Sequence, residues 1–507
     1  MLTSSQQIKL GAILSYIAMG INILAGLLYT PWMIKCIGQS DYGLYTLALS
    51  IINLFLFDFG LSTAITRFIA KNNAEHKENE NIPLVSSVLK LYLIIDCIIF
   101  LCFIIIYLFI PQLYKELTAP EIDKLKVVFC IAAISSLVLF PAMQINGILN
   151  AYEKFVEVKI CDLLQRVIVT LVLVGALLCG GGLFTLVIIN SLGGIIFTGL
   201  KLFFLYRSTP IRFNLKAKTS KKDIAEVGSF SLWMTIVTLC QRCIFNITPS
   251  ILGYFSGSTA IAIFGIATTL EGYTFTFANA LNGMFLPRVS VYAAENDTKS
   301  IQYLMSKVGR IQLLITGIII YGFAFLGKEF ITLWLGEDFN LSYICTLLVI
   351  IPSLFHLPQE IGANYIMANN KVKYLAIIYL IMAILNVILM ALLVPFWGAP
   401  GAALSICISY FIRTIGQDII YQKLLHLDIL NFFKKTFFPY FLPSLLMFII
   451  GYVISFIILK DVKWVNLIIK ILLFAITYCI IYFFLYMQKD ERHLILSPLI
   501  KFVQRSK

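Results

Sequence analysis

Charge is scarce in this chain: 13% of its 507 residues are Asp, Glu, Lys or Arg, against 60% hydrophobic residues and a mean hydropathy of +0.91. Such a composition excludes an ordinary soluble domain, where about a quarter of the residues are charged. Histidine is scarcer still, and His76, His356, His426 and His493 are too scattered to form a metal set. The 11 cysteines follow neither metal-ligand nor disulfide-framework spacing. Most lie in apolar runs, where a free thiol behaves as a small hydrophobe, and Cys240 and Cys243 spell a CxxC with no redox domain around it. A Walker phosphate loop is lacking, which argues against ATP hydrolysis, and no cofactor is expected. Residues 1–9 lack the charged start and small-residue cleavage site of a signal peptide, so the first apolar run is expected to be retained.

What the chain has is apolar runs of about 20 residues, the length that crosses a bilayer as a helix. They fall at 10–34, 42–65, 84–110, 125–149, 160–179, 183–205, 230–254, 259–285, 311–326, 342–368, 374–394, 401–421, 437–459 and 464–486. The expected fold is therefore an all-α integral membrane protein of about fourteen transmembrane helices. The net charge of +13 does not indicate nucleic acid, because the basic residues are spread over many short loops. With both termini cytoplasmic, most Lys and Arg outside the spans fall on the cytoplasmic side, as the positive-inside rule requires.

The longest basic loop carries Arg207, Arg212, Lys216, Lys218, Lys221 and Lys222 between the sixth and seventh spans. It predicts an N-terminal six-helix lobe over 1–206, a cytoplasmic linker over 207–227, a second six-helix lobe over 228–436, and two extra helices with a tail over 437–507. A weak self-similarity supports the pairing. Pro31 and Pro249 each lie near the end of the first helix of a half, and Arg67 and Arg288 each mark the cytoplasmic end of the next. Two such lobes would enclose a central cavity.

Residues 231–285 carry the densest chemistry. Two apolar runs meet at Phe255-Ser256-Gly257-Ser258, with Arg242 and Glu271 each about a dozen residues from the turn and hence at similar depth in a helical hairpin. A charge at mid-membrane costs roughly 2.5 to 3.5 kcal/mol on insertion scales, so it faces a partner or a polar path. Ser231, Thr235, Thr238, Arg242, Asn246 and Ser250 recur at steps of three or four and share one helix face; Thr268, Glu271 and Asn282 recur compatibly on the next helix. Two readings stand side by side: Arg242 as an anion-binding group with Glu271 as an ion-coupling carboxylate, or the two as a structural salt bridge.

Other interruptions extend the candidate set. Pro352 and Pro358 flank His356 in the tenth span and mark a hinge or a structural kink, with Ser353, His356, Glu360 and Asn364 on one face. Arg413 shares a face with Ser405, Ser409 and Gln417. Asp58 and Asp96 lie inside spans, where either could titrate or be satisfied by a neighbouring helix. Asp162 and Arg166 are four apart and read locally as an intrahelical ion pair, while Arg166 also belongs to the cavity set.

The segment Cys36-Ile37-Gly38-Gln39-Ser40-Asp41-Tyr42-Gly43-Leu44-Tyr45-Thr46-Leu47, followed by Phe57-Asp58-Phe59-Gly60-Leu61-Ser62 and Thr66-Arg67-Phe68, resembles the polysaccharide flippase family. Residues 253–288, ending in Pro287-Arg288, match it again. These are the Wzx-type O-antigen and capsule-unit transporters of the multidrug/oligosaccharidyl-lipid/polysaccharide superfamily. The resemblance implies MATE-like lobes working by alternating access, which move an undecaprenyl-diphosphate-linked oligosaccharide from the cytoplasmic to the outer leaflet of the bacterial inner membrane. With no Walker loop, H+ or Na+ is the expected coupling ion, and the in-span carboxylates Glu271, Asp58 and Glu360 are the candidates. Arg242, Asn246, Thr238, Thr235, Arg413, Arg166 and Asn282 would line the substrate cavity, and a glycan polymerase and chain-length regulator are the protein partners the resemblance suggests. The competing readings are a drug or cation exporter and a membrane glycan polymerase or ligase. Against the first, residues 10–34 contain no Asp or Glu; against the second, the external loops are short.

Overall fold

In hydrocarbon every backbone N–H and C=O needs an internal partner, and the chain meets this with helices alone, with no strand among the described residues. The computed structural model describes residues 4–214, 235–282, 285–369, 371–456, 461–488 and 491–492; the side chains of 4–17, 74, 278–282, 286, 287 and 456 are outside that description. The helices are α1 Ser4–Ile37, α2 Gln39–Phe55, α3 Leu61–Ala74, α4 Asn81–Leu113, α5 Ala119–Leu139, α6 Gln144–Ala151, α7 Phe155–Leu178 and α8 Leu183–Ser208. After them come α9 Thr235–Phe255, α10 Gly257–Asn282, α11 Leu286–Ala294, α12 Thr298–Leu335, α13 Asn340–Ile350, α14 Ser353–His356 and α15 Glu360–Ala368. The last are α16 Val372–Leu425, α17 Ile429–Thr436, α18 Phe438–Phe456 and α19 Trp464–Leu485.

Among the described residues eleven helical stretches are long and apolar enough to cross a membrane, with Glu337–Ala368 and Ile429–Ser455 each counted as one, or twelve if α5 and the following Pro141–Ala151 segment, bent by 42°, form one span. The expected number was about fourteen, and three expected spans take unexpected forms. The second is broken: α2 stops at Phe55, and α3 restarts after Phe59 and Gly60, both at positive φ. The eleventh and twelfth are fused in α16, which folds back on itself at Gly398 (φ 56°). There Gly401 packs onto the Leu393 carbonyl, and at the open end of the hairpin the Lys371 ammonium donates to the Leu424 carbonyl at 3.1 Å.

Packing divides the chain into two compact units, Met1–Ile266 with Tyr379–Ser405 and Ala267–Ile378 with Ile406–Lys507. They do not follow the chain order expected of the lobes, because α9, the start of α10 and the turn of the α16 hairpin pack with the first eight helices. Residues 215–227 of the expected linker lie outside the described residues.

In the first unit small residues bring helices close. Gly147 of α6 lies on the Ser62 carbonyl of α3, and Ser62 and Thr66 donate to the Met143 and Gly147 carbonyls at 3.1 and 2.8 Å. Asp162 of α7 pairs with Lys201 of α8 at 2.7 Å, which corrects the expected Asp162–Arg166 pair: a cation on the adjacent helix takes the carboxylate.

In the second unit α12 is the central column. The two C-terminal helices α18 and α19 pack along it through Leu313, Leu326, Met447, Phe474 and a ladder of Tyr440, Tyr478, Tyr482 and Tyr486. Burying tyrosine requires partners for its hydroxyl, and each rung has one. Tyr440 bonds Tyr478 at 3.1 Å, Tyr478 donates to the Leu314 carbonyl at 3.0 Å, Tyr482 meets Ser444 at 3.0 Å and Tyr486 donates to the Thr436 carbonyl at 3.0 Å. Gly317 leaves the slot that the Tyr440 and Tyr478 hydroxyls fill. Lys470 of α19, fully buried, donates to Glu329 of α12 at 2.6 Å and to the Ser455 carbonyl at 3.1 Å.

Candidate functional site

The break between α2 and α3 creates the chemistry of the first unit. Ending a helix inside the membrane frees carbonyls that would have bonded the next turn. Two side chains of α9 take them. The Arg242 guanidinium donates through Nη1 to the Asn53 carbonyl at 2.7 Å, and Thr235 Oγ1 donates to the Phe59 carbonyl at 2.9 Å. Arg242 also lies 5.9 Å from the Phe57 ring centroid and feels the charge of Asp58, whose carboxylate accepts from the Gly60 N–H at 3.0 Å. One guanidinium has five N–H donors, so holding Asn53 leaves capacity for an anion. Asn246, one turn on, donates to the Arg242 carbonyl at 3.1 Å, and Thr238 is half-buried. The sequence thus identified the polar face but not its partner, a broken backbone.

At the other end of α2 the Gly38–Gly43 turn is latched. Glu121 of α5 closes a capping box with Thr118 and accepts as well from the hydroxyls of Ser40 and Ser258, the latter at 2.6 Å. Lys124 binds Asp41 at 2.7 Å. Gly43 rests on the Ser258 carbonyl, where any Cβ would collide, so this turn, α5 and the start of α10 are drawn together. Deeper in, Tyr114 bonds Ser250 of α9 at 3.2 Å. Glu121→Ala removes the common acceptor, and amide exchange of residues 38–46 is expected to quicken roughly tenfold or more, about 1.4 kcal/mol per tenfold. Unchanged exchange would mean that the carboxylate does not hold the turn.

The second unit holds another buried polar group. α13, α14, a short 3-10 turn over Leu357–Gln359, and α15 form one interrupted span, broken beside Pro352 and Pro358 as proline in a helix requires. The break presents His356, Gln359 and Glu360 to the second arm of α16. Arg413 there is 5% exposed, donates through Nε to Gln417 at 3.0 Å, stacks 5.5 Å from the Tyr410 ring, and acts electrostatically on both His356 and Glu360. His356 stacks on Tyr410 with centroids 5.4 Å apart. Among the described residues, His356 Nδ1, Gln359 Oε1 and Asp418 Oδ1 are buried with no hydrogen-bond partner. Buried polar atoms are seldom left so, and here they provide spare donor and acceptor capacity beside a cation.

The structure therefore gathers Arg242, Asn246, Thr235 and Asp58 in the first unit and Arg413 and Glu360 in the second. Arg166 is exposed on α7 and acts electrostatically on Tyr45 of α2. Glu271 is half-buried on α10 within the second unit, whereas Arg242 belongs to the first. Asp96 is half-buried on α4 and its Oδ1 has no hydrogen-bond partner among the described residues. Ser231 and the side chain of Asn282 lie outside the described residues. Sequence reasoning missed Glu121, Gln359 and Asp418, and the signal for the first was the capping-box spacing Thr118-x-x-Glu121.

The fold is shared with a structure of the lipid II flippase MurJ in an inward closed conformation, at a TM-score of 0.73 and 17% identity, over 93% of this chain and 98% of that one. A Haloferax volcanii protein named a probable low-salt glycan biosynthesis flippase is 22% identical over 34% of this chain, and the match spans 39% of that relative's own length. An Escherichia coli K12 protein provisionally named an O-antigen transporter is 22% identical over 80% of this chain and 94% of its own length. These relatives are named for transport and flipping, not for enzymatic chemistry. The profile of a family described as "Polysaccharide biosynthesis protein" matches residues 9–293, more than half the chain, and this multi-pass membrane protein belongs to that family.

Proposed function

We propose that the chain is a flippase that carries a diphosphate-linked lipid oligosaccharide from the cytoplasmic to the outer leaflet by alternating access. The observation that carries this reading is the guanidinium of Arg242, held inside the membrane at a broken helix with unused donors. A diphosphate is the group such a cation suits, through charge-assisted and bidentate hydrogen bonds. The names of the relatives support a glycan cargo. In this reading the carrier lipid is undecaprenyl diphosphate, the membrane is the bacterial inner membrane, and both termini are cytoplasmic. The Glu121 latch then closes the outer end of the first unit and opens in the outward-facing state.

Coupling is assigned to a carboxylate that exchanges H+ or Na+, with Glu271 first and Glu360, beside Arg413, second. One charge moved across the membrane is worth roughly 2.3 kcal/mol per 100 mV, enough to bias release of an anionic headgroup. The test is flipping of a fluorescent diphosphate-linked oligosaccharide lipid in proteoliposomes, with and without a pH or Na+ gradient. The wild type is expected to flip it and to respond to one gradient, and Glu271→Gln to flip without that response. Absence of flipping by folded wild-type protein, with export of cationic dyes in its place, would overturn the function. A gradient response retained in Glu271→Gln would overturn its coupling role alone.

A further inference from the structure

We propose that the second unit carries a binding site for an anionic phospholipid, separate from the polar groups of Arg242 and Arg413, which clamps the C-terminal helix pair to α12. The site is a cavity of about 420 Å³ between the first turns of α12, the loop that leads into α17, and the segment after α19. Its lining includes Lys299, Lys307, Arg310, His426, Lys435 and Gln488.

The walls are fixed by bonds that leave the lysines out. Gln302 of α12 grips the backbone of Asp428 twice, donating to its carbonyl at 2.8 Å and accepting from its N–H at 2.9 Å, which seats the start of α17 against α12. The Asp428 carboxylate is spent on capping α17, accepting from the Asn431 N–H at 2.9 Å. Asp297 likewise caps α12. Arg310 pairs with Glu491 at 2.7 Å, and Glu491 accepts from the Gln488 N–H at 2.9 Å, which ties the end of α19 to the same wall. Lys299, Lys307 and Lys435 stand outside the ion pairs among the described residues; Lys299 acts electrostatically on Asp297, and Lys307 lies 5.8 Å from the Tyr303 ring centroid. Three such cations lining one cavity, at the positive end of a 38-residue helix, match a phosphate group.

The occupant is a lipid and not free phosphate because of what adjoins the cavity. α17 is a short helix with a strongly apolar and a basic side, the pattern of a helix lying at the membrane interface. Its consecutive lysines face different spaces. Lys435 lines the cavity, while Lys434 lines an apolar groove of about 540 Å³ formed with Phe433, Phe437, Phe438 and Phe441. Phe438 and Phe441 are 77% and 69% exposed, an apolar surface suited to acyl chains. A phosphate in the cavity and a chain along the groove straddle α17 as a phospholipid does.

Delipidated full-length protein in detergent, titrated with dioleoylphosphatidylglycerol or dioleoylphosphatidylcholine and read by native mass spectrometry, tests this. Phosphatidylglycerol is expected to be retained several times more than phosphatidylcholine, with each of Lys299→Gln, Lys307→Gln and Lys435→Gln lowering its retention roughly fivefold. Phe441→Ser should lower it too. Lys328→Gln, on an exposed lysine far along α12, should leave it unchanged. Equal retention of the two lipids, indifference to the three lysines, or an equal loss in Lys328→Gln would overturn the site. Complete displacement of phosphatidylglycerol by millimolar inorganic phosphate would overturn the lipid in favour of a free anion.

Discussion

Arg242→Gln is expected to cut surface-glycan output roughly tenfold or more at matched expression, while Arg242→Lys keeps part of it. The contrast separates two roles that the geometry gives the side chain. As a backbone cap, Arg242 needs one donor for the Asn53 carbonyl. Glutamine can offer a neutral donor of similar reach, so a cap-only role predicts near-normal output from Arg242→Gln. A diphosphate needs charge, which glutamine lacks and lysine retains without the fork. Hydrogen bonds to charged groups contribute about 1.5 to 3 kcal/mol, which sets the scale of the loss. Wild-type glycan levels in Arg242→Gln would sink the substrate role and leave the cap.

The second large effect concerns stability. Lys470→Met should destabilise the protein by about 3 to 5 kcal/mol, the usual cost of leaving one member of a buried ion pair alone. Lys470 is fully buried, and its loss strips Glu329 Oε1 of its partner, while Oε2 already has none among the described residues. The double change Glu329→Gln with Lys470→Met removes the stranded charge and is expected to recover most of the loss in a detergent melting experiment. If single and double variants melt alike, the pair does not carry the stability assigned to it.

These two sites differ in how far the sequence disclosed them. The face from Thr235 to Ser250 was legible because helical spacing is a local property. Its partner was not, because hydropathy runs unbroken across Phe55 to Leu61 while the backbone there does not. Asp162 shows the same limit from the other direction: the i, i+4 rule offered Arg166, and packing against α8 supplied Lys201. Lys470 stands in the middle of an apolar run, and a lone cation there is the readable sign of a buried pair. His356 and Glu360 on the tenth span and Arg413 on the twelfth were singled out separately, and only the fold shows that they meet. The helix number illustrates why length is a weak guide: a break halves one expected span below crossing length, and a tight turn at Gly398 joins two into a continuous helical stretch.

The tyrosine ladder on α12 makes the C-terminal pair a passenger of that helix. Tyr478 bonded to the Leu314 carbonyl, Ser455 bonded to the Phe325 carbonyl and the slot at Gly317 hold α18 and α19 against that helix, while the other rungs join the pair to itself and to α17. A displacement of α12 is therefore expected to carry the Asp461–Lys463 loop between α18 and α19 with it. A fluorophore placed there would report a displacement of α12 from the periphery, away from Arg242 and Arg413 in the sequence.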